Sequence, residues 1–371
     1  MSELFPLQAA APAVAPPRSR RVLPQLGAHP TGLRLERIQS SPRFIQGVAQ
    51  NPVATEMLRD VRKMLPLVRE YFQGRREQEP SAPLPVVRPD LSRATARAPG
   101  VRVTWLGHST MLVNVDGHLV LTDPVFSRRA SPFQWSGPAR FHPTPLTIDE
   151  LPPLDAVLIS HDHYDHLDHL SVLQLARRGH RFVTALGVGA HLEAWGVPAE
   201  RIVELDWWES VDLGGLNLVA APARHFSGRT SAGGNRTLWA SWALVGARHR
   251  VWFSGDTGPF DGVREIGARL GPFDLTMIET GAHHPAWGNI HLGPDEAARM
   301  HGLVRGGALL PVHWGTFNLA LHAWDEPIVR MQQLAEQQSI PLLAPVAGET
   351  VDPRAPAVAA PWRERLRLRS R

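Results

Sequence analysis

The densest chemistry in the chain is the run Ser160-His161-Asp162-His163-Tyr164-Asp165-His166-Leu167-Asp168-His169. Four histidines and three aspartates fall there within nine residues. Imidazole nitrogen and carboxylate oxygen together suit zinc and its first-row neighbours. His161 and His163 alternate, so in extended backbone both side chains leave on one side. Asp165 and His166 follow as the chain turns and can serve a second ion a few ångströms away. Three further donors stand far apart: His225, Asp256 and His313. Each follows an apolar run, over 218–224, 250–255 and 308–312. If those runs are strands that share a direction, the donors converge on one rim. The chain has no cysteine, which excludes disulfides, thiolate ligands and a cysteine nucleophile.

The elements that must position these groups are legible as periodicities. Asp155-Ala-Val-Leu-Ile-Ser160 is short and apolar after Pro152-Pro153, and reads as a buried strand that ends where the cluster begins. Runs at 101–106, 111–115 and 118–122 read as three strands, with Asp116-Gly117 as a tight hairpin turn between the last two. Helices are expected near 168–178, 187–196, 260–270, 294–304 and 325–338. Further strands are expected near 181–184, 202–205, 216–221, 238–245, 249–254, 274–279, 308–312 and 341–344. Strands pair first as hairpins, then alternate with helices, and the pattern occurs twice. That predicts an α/β fold of two mixed sheets face to face with helices outside.

The chain divides into three parts by composition. Residues 1–100 form an arm rich in Pro, Ala and Arg. Residues 1–50 read as mostly irregular, an amphipathic helix near 54–72 shows apolar spacing of 3.6, and 74–100 read as a linker or an arm wrapped on the surface. Residues 101–352 form the catalytic domain, and 353–371 a basic tail. The overall charge of +4 hides an asymmetry: +7 over residues 1–100, −7 over 101–362 and +4 over the last nine. The basic arms suit an anionic lipid surface, or fold against the acidic body. An acidic body argues against a nucleic-acid partner. There is no apolar run long enough to span a bilayer and no secretory signal pattern, so the expectation is a cytoplasmic protein, with peripheral contact on the inner face of the membrane.

The ordered pattern His161-x-His163-x-Asp165-His166, His225, Asp256, His313 resembles the metallo-β-lactamase superfamily. A closer resemblance, over roughly 101–350, is to N-acylphosphatidylethanolamine-hydrolysing phospholipase D and its bacterial relatives. Trp105-Leu-Gly-His-Ser-Thr110, Leu121-Thr-Asp-Pro124, Gly137-Pro138, Leu151-Pro-Pro153, Glu204-Leu-Asp-Trp-Trp-Glu209, Gly255-Asp-Thr-Gly258, Gly271-Pro-Phe-Asp274, Asp295-Glu-Ala297 and His313-Trp-Gly-Thr-Phe317 carry it. The resemblance implies an αββα metallo-β-lactamase sandwich with a two-metal site at the sheet edges, and a homodimer. It implies that His161, His163 and His225 bind the first ion and Asp165, His166 and His313 the second, with Asp256 shared. Asp162 departs, standing where the phospholipase family has a neutral amide. Gly281-Ala-His-His-Pro-Ala-Trp287, which borders the substrate in the resemblance, departs more.

Asp123 suits a carboxylate that orients a ligand histidine, and His291 resembles a family position near the substrate phosphate. His283 and His284 are weaker candidates. Tyr164 and Asp168 read as packing and capping groups, and His108, His118, His142 and His322 as structural. Two divalent ions about 3.5–4 Å apart can share one water and lower its pKa to near 7. Asp165, Asp256 and His291 are the residues assigned to catalysis, His291 as proton donor. The favoured reaction is phosphodiester hydrolysis of phospholipase D type on N-acyl phosphatidylethanolamine-like lipids. Hydrolysis of a lactone or carboxylic ester by the same site is the alternative, and a non-enzymatic metal-binding protein a third class. Two divalent ions are expected, zinc first, with manganese or iron(II) also compatible with the donors.

Overall fold

A computed structural model describes residues 23–55, 77–230 and 234–354. The helix expected near 54–72 lies outside the described residues from residue 56 on, as does the basic tail from residue 355. The first part of the arm holds α1 (Gly32–Ser40) and a small hairpin of β1 (Phe44–Ile45) and β2 (Val48–Ala49), followed after residue 77 by the single turn α2 (Leu91–Ala94). The expectation of an irregular segment over 1–50 is therefore corrected for these residues.

The body begins with β3 (Val101–Gly107), β4 (Thr110–Val115), β5 (His118–Thr122) and β6 (Ala156–Ile159). It continues with α3 (His169–Arg177), β7 (Phe182–Ala185), α4 (Gly189–Ala194), β8 (Ile202–Leu205), β9 (Ser210–Asp212), β10 (Asn217–Ala221), β11 (Ser241–Val245) and β12 (Arg250–Phe253). It closes with α5 (Val263–Leu270), β13 (Phe273–Glu279), α6 (Gly293–Leu303), β14 (Gly306–Val312), α7 (Glu326–Gln338) and β15 (Thr350–Val351). One sheet runs β15-β3-β4-β5-β6-β7-β8 and the other β14-β13-β12-β11-β10-β9. Strands β5 to β8 are mutually parallel, as are β12 to β14. The αββα expectation holds.

The second sheet shows why the strands sit rigidly. Side chains alternate with period two between its faces. Leu218, Ala220, Trp242, Leu244, Val251, Phe253, Leu275, Met277, Leu310 and Val312 enter the core between the sheets. Val219, Ala221, Ala243, Trp252, Ile278 and Leu309 face the outer layer, where Val263, Ile266, Ala297, Met300, Met331 and Leu334 of α5, α6 and α7 cover them. The strand expected at 341–344 is reduced to one bridge, Leu342 beside Leu309. Pro341 and Pro345 flank it and cannot donate to a ladder. The short strands β9 and β15 are not in the expected set.

The predicted Asp116-Gly117 turn is present, with φ of 53° and 96°. Left-handed backbone at both positions matches the twist of the flanking strands. Asp116 also latches the two sheets at the end opposite the histidine cluster. Its carboxylate accepts from the backbone N–H groups of Gly100 (3.1 Å), Arg248 (2.8 Å) and His249 (3.0 Å), and from His249 Nδ1 (2.6 Å). Burial opposes its charge, but these donors win and hold the carboxyl below the usual aspartate range. The folded pKa is depressed, so the stabilisation is present above the unfolded pKa and lost as pH falls through the folded one. We predict that Asp116→Asn, which tolerates the same φ, lowers unfolding stability by about 1–3 kcal/mol at pH 7. The difference from the native chain should shrink as the pH is taken below the usual aspartate pKa. Equal denaturation midpoints at pH 7 would contradict the latch.

Candidate metal centre

The donors far apart in sequence each follow a strand. β6 delivers Ser160 and His161, β10 leads through Pro222-Ala223-Arg224 to His225, β12 leads to Asp256, and β14 delivers His313. His163, Asp165 and His166 follow His161 before Asp168 caps α3 through Ser171 N–H. Two donor groups form from residues far apart in sequence: His161, His163, His225 and Asp256, and His108, Asp165, His166 and His313.

Hydrogen bonds fix which ring nitrogen is free. His161 Nδ1 donates to Ser160 Oγ (2.9 Å), and Ser160 Oγ donates onward to Asp123 Oδ2 (2.6 Å). His166 Nδ1 donates to the same Asp123 oxygen (2.7 Å). His225 Nδ1 donates to the Ile290 carbonyl (2.9 Å). Each of these rings turns its Nε2 inward. His161 Nε2 lies 2.9 Å and His225 Nε2 3.2 Å from His163 Nδ1, with Asp256 Oδ2 at 3.7 and 3.6 Å from the first two. In the other group, Asp165 Oδ2 lies 3.4 Å from His166 Nε2 and 3.2 Å from His313 Nε2. Asp256 bridges the groups: Oδ1 lies 3.1 Å from His166 Nε2 and Oδ2 3.1 Å from His313 Nε2.

This donor set fits two divalent ions. His166 Nε2 and Asp256 Oδ1 are buried and make no hydrogen bond, an arrangement costly to leave unanswered. Converging lone pairs of neutral rings repel one another, and a cation between them satisfies all at once. Burial, and then the neighbouring imidazoles, push His161 and His225 well below the ordinary histidine range, into the neutral form that ligates. Burial opposes charge on Asp165 and Asp256, yet the facing histidines hold both carboxyls well down. Against burial, Asp256 and Asp165 push His313 up to about 10 and, with Asp123, hold His166 well above the ordinary histidine range. Those protons occupy the place a metal ion takes, so loading releases them.

Asp123 therefore backs one histidine from each group, the direct one and the one through Ser160. It is fully buried, with φ at 36°. His108 stands in a different place from the structural role expected of it. The β3–β4 turn brings its Nε2 to 3.1 Å from Asp165 Oδ2. Burial, and then His313, lower it to about 3, so it is a neutral donor to that carboxylate. Trp105, stacked on Trp314 at 5.3 Å, bonds the His108 carbonyl, and Thr316 Oγ1 accepts from its N–H. Glu279 is absent from the expected set and lies among Asp256, His291 and His313. The strand-end rule that found His225 and His313 applies equally to this last residue of β13. His291 enters from the loop before α6, its ring 5.0 Å from His225 and 5.3 Å from His313. Tyr164 packs under the Arg229 guanidinium at 4.1 Å. His283 stacks instead on His322 at 4.9 Å, in a separate group with Glu326.

A family model described as the β-lactamase superfamily domain matches residues 118–314. The chain belongs to the metallo-β-lactamase superfamily. An uncharacterized protein of Mycobacterium tuberculosis is 46% identical over 342 residues, 91% of each chain. N-acyl-phosphatidylethanolamine-hydrolyzing phospholipase D 1 of Caenorhabditis elegans is 36% identical over 250 residues, covering 64% of this chain and 70% of that protein. Igni18, a metallo hydrolase from Ignicoccus hospitalis, superposes with a TM-score of 0.53 at 21% identity, over 68% of this chain and 97% of that one. At that identity the superposition speaks for the superfamily fold alone.

We predict close to two divalent ions per chain after growth in metal-replete medium, measured by elemental analysis. His108→Ala frees Asp165 to rotate and should weaken one of the two ions about 10–100-fold. It should leave the other in place, because His108 touches no donor of the His161 group. Full retention of both ions by His108→Ala under chelator challenge would show that the His108–Asp165 bond has no part in the site.

Proposed function

We propose that this chain is a metal-dependent phosphodiesterase of phospholipase D type, acting on N-acyl phosphatidylethanolamine-like lipids. The observation that carries the hydrolase reading is the pair of donor groups sharing Asp256 at the strand ends. The similarity to the C. elegans phospholipase supports the phosphodiester class. In this reading His161, His163 and His225 hold one ion, Asp165, His166 and His313 the other, and Asp256 both. Two divalent ions, zinc the first choice for a histidine-rich set, would supply a water of lowered pKa and polarise the attacked oxygen. The chain supplies the rest. Asp123 keeps His166 and, through Ser160, His161 in the tautomers that turn Nε2 inward. Asp256 draws the two donor groups together. His291, beside both, delivers a proton to the departing oxygen.

The test compares three substrates on one metal-loaded preparation: bis-(p-nitrophenyl) phosphate, a lactone, and vesicles containing an N-acyl phosphatidylethanolamine. Release of p-nitrophenolate, and of a phosphatidate from the vesicles, is expected. Asp256→Asn should lose at least one ion and slow both reactions by orders of magnitude, since an amide bridges poorly. Turnover of the lactone alone would replace the phosphodiesterase reading with an ester hydrolase. No turnover of any of the three by a protein holding two ions would remove the hydrolase reading.

A further inference from the structure

The site contains one buried carboxylate more than the two donor groups use. Glu279 ends β13 with its side chain 0 % exposed. One oxygen accepts from the backbone N–H of Thr257 at 2.6 Å, next in chain to the shared Asp256. The other accepts from His291 Nδ1 at 2.7 Å. Its backbone N–H is held in turn by Ser254 Oγ at 3.0 Å. One side chain thus joins the loop that carries Asp256 to the loop that carries His291. The same His291 loop holds His225 through the Ile290 carbonyl. The two loops approach this closely because residue 258 is glycine: a Cβ there would lie 1.6 Å from the Asn289 oxygen.

A carboxylate so buried is expensive unless a donor answers it. A glutamine would keep the Thr257 bond at no charge, but its amide N–H would face His291 Nδ1 and force the opposite tautomer. The choice of glutamate therefore bears on the ring. We propose that Glu279 is a positioning residue that holds Nδ1–H of His291 and so presents Nε2 to the leaving group of the substrate.

The inference rests on the phosphodiesterase reading. In that reaction the water oxygen forms a new bond to phosphorus, and the bond from phosphorus to the leaving oxygen breaks with its electron pair. The Nε2 proton of His291 moves to that oxygen, and the proton given up by the attacking water restores the imidazolium. A carboxylate on Nδ1 fixes the direction in which the ring turns its Nε2, as carboxylate–imidazole pairs do elsewhere.

The test uses the full-length, metal-loaded chain as native protein, Glu279→Gln, His291→Ala and the double variant. Four quantities are read: metal content, the low-field proton resonance of His291 Nδ1–H, and turnover of two phosphodiesters, one losing p-nitrophenolate and one losing an alkoxide. Glu279→Gln should keep both ions and lose the resonance. It should slow the alkoxide substrate by about 100-fold, the lower range for a general acid. The p-nitrophenolate substrate should lose a few-fold at most, because that anion departs without a proton. Added to His291→Ala, the substitution should cost nothing further. Loss of an ion from Glu279→Gln, equal slowing on both leaving groups, or additive losses in the double variant would each overturn the proposal. Should the native protein cleave neither diester, the phosphodiesterase reading fails. The Glu279–His291 pair is then judged by the resonance alone, and its absence from the native spectrum would overturn the pair too.

Discussion

Asp256 is a buried carboxylate whose two oxygens face different histidines. Oδ1 is turned to His166, and Oδ2 to His313, with His225 and His161 within 3.7 Å. Such an arrangement forms only if both sheets end their strands at one rim, because the four rings come from β6 in one sheet and β10 and β14 in the other. The backbone is bent to fit. His313 has φ at 63° and Gly255, before Asp256, at 55°. Such backbone persists in a non-glycine residue only where its surroundings over-determine it. His313 N–H donates to the His108 carbonyl, which is itself held by the Trp105 indole. At residue 255 no side chain fits, since a Cβ would lie 2.8 Å from Ser160 Cβ and 2.9 Å from the Ala240 carbonyl.

The segment before residue 56 belongs to this architecture. Asn51 bonds His225 at both ends, accepting from its N–H at 2.9 Å and donating to its carbonyl at 2.8 Å. Arg224, the preceding residue, donates to the Ala54 carbonyl and Thr55 Oγ1. His191 joins Asp162 of the histidine run at 3.2 Å and accepts from Ala28 N–H on its other nitrogen. The position where an acid stands in place of an amide is thus tied to a histidine. The arm thus packs on the His225 loop directly and reaches the histidine run through His191.

The donors that a reader of the sequence finds are those whose type is improbable by chance: a histidine run, and histidines or an aspartate closing an apolar strand. Glu279 escapes because a lone acid closing Phe273-Asp-Leu-Thr-Met-Ile is also how a strand meets water, and only the fold shows that this end is buried. His108 escapes because it sits in a turn, and its partner Asp165 is 57 residues away. Helix α1 is hidden for another reason. Among its residues only Ile38 is buried, so its apolar face is too narrow to read. Ion pairs hold it instead: Arg34 with Glu204 at 2.5 Å and with Glu193 at 2.7 Å, and Arg37 with Glu209. Periodicity located the long elements because burial on two faces dictates it, and it missed β9 and β15 because two or three residues carry no period.

Charge bears on how an acidic body carries a metal centre. Residues 101–362 hold a net −7, which taken as a surface field would repel a phosphodiester. Four of those acids are in the centre: Asp123, Asp165, Asp256 and Glu279. With the imidazoles neutral they carry −4, and two divalent ions would bring +4, which would leave the loaded body at −3. Others face the arm, where Glu193, Glu204 and Glu209 meet the arginines of α1. Part of the acid excess therefore faces inward, and part faces the basic segment that folds over it. Asp165 and Asp256 stand among the inward-facing donors, while Asp123 and Glu279 hold rings from behind, so two of these four carboxylates set the direction of His161, His166 and His291 and the other two face the space between the rings.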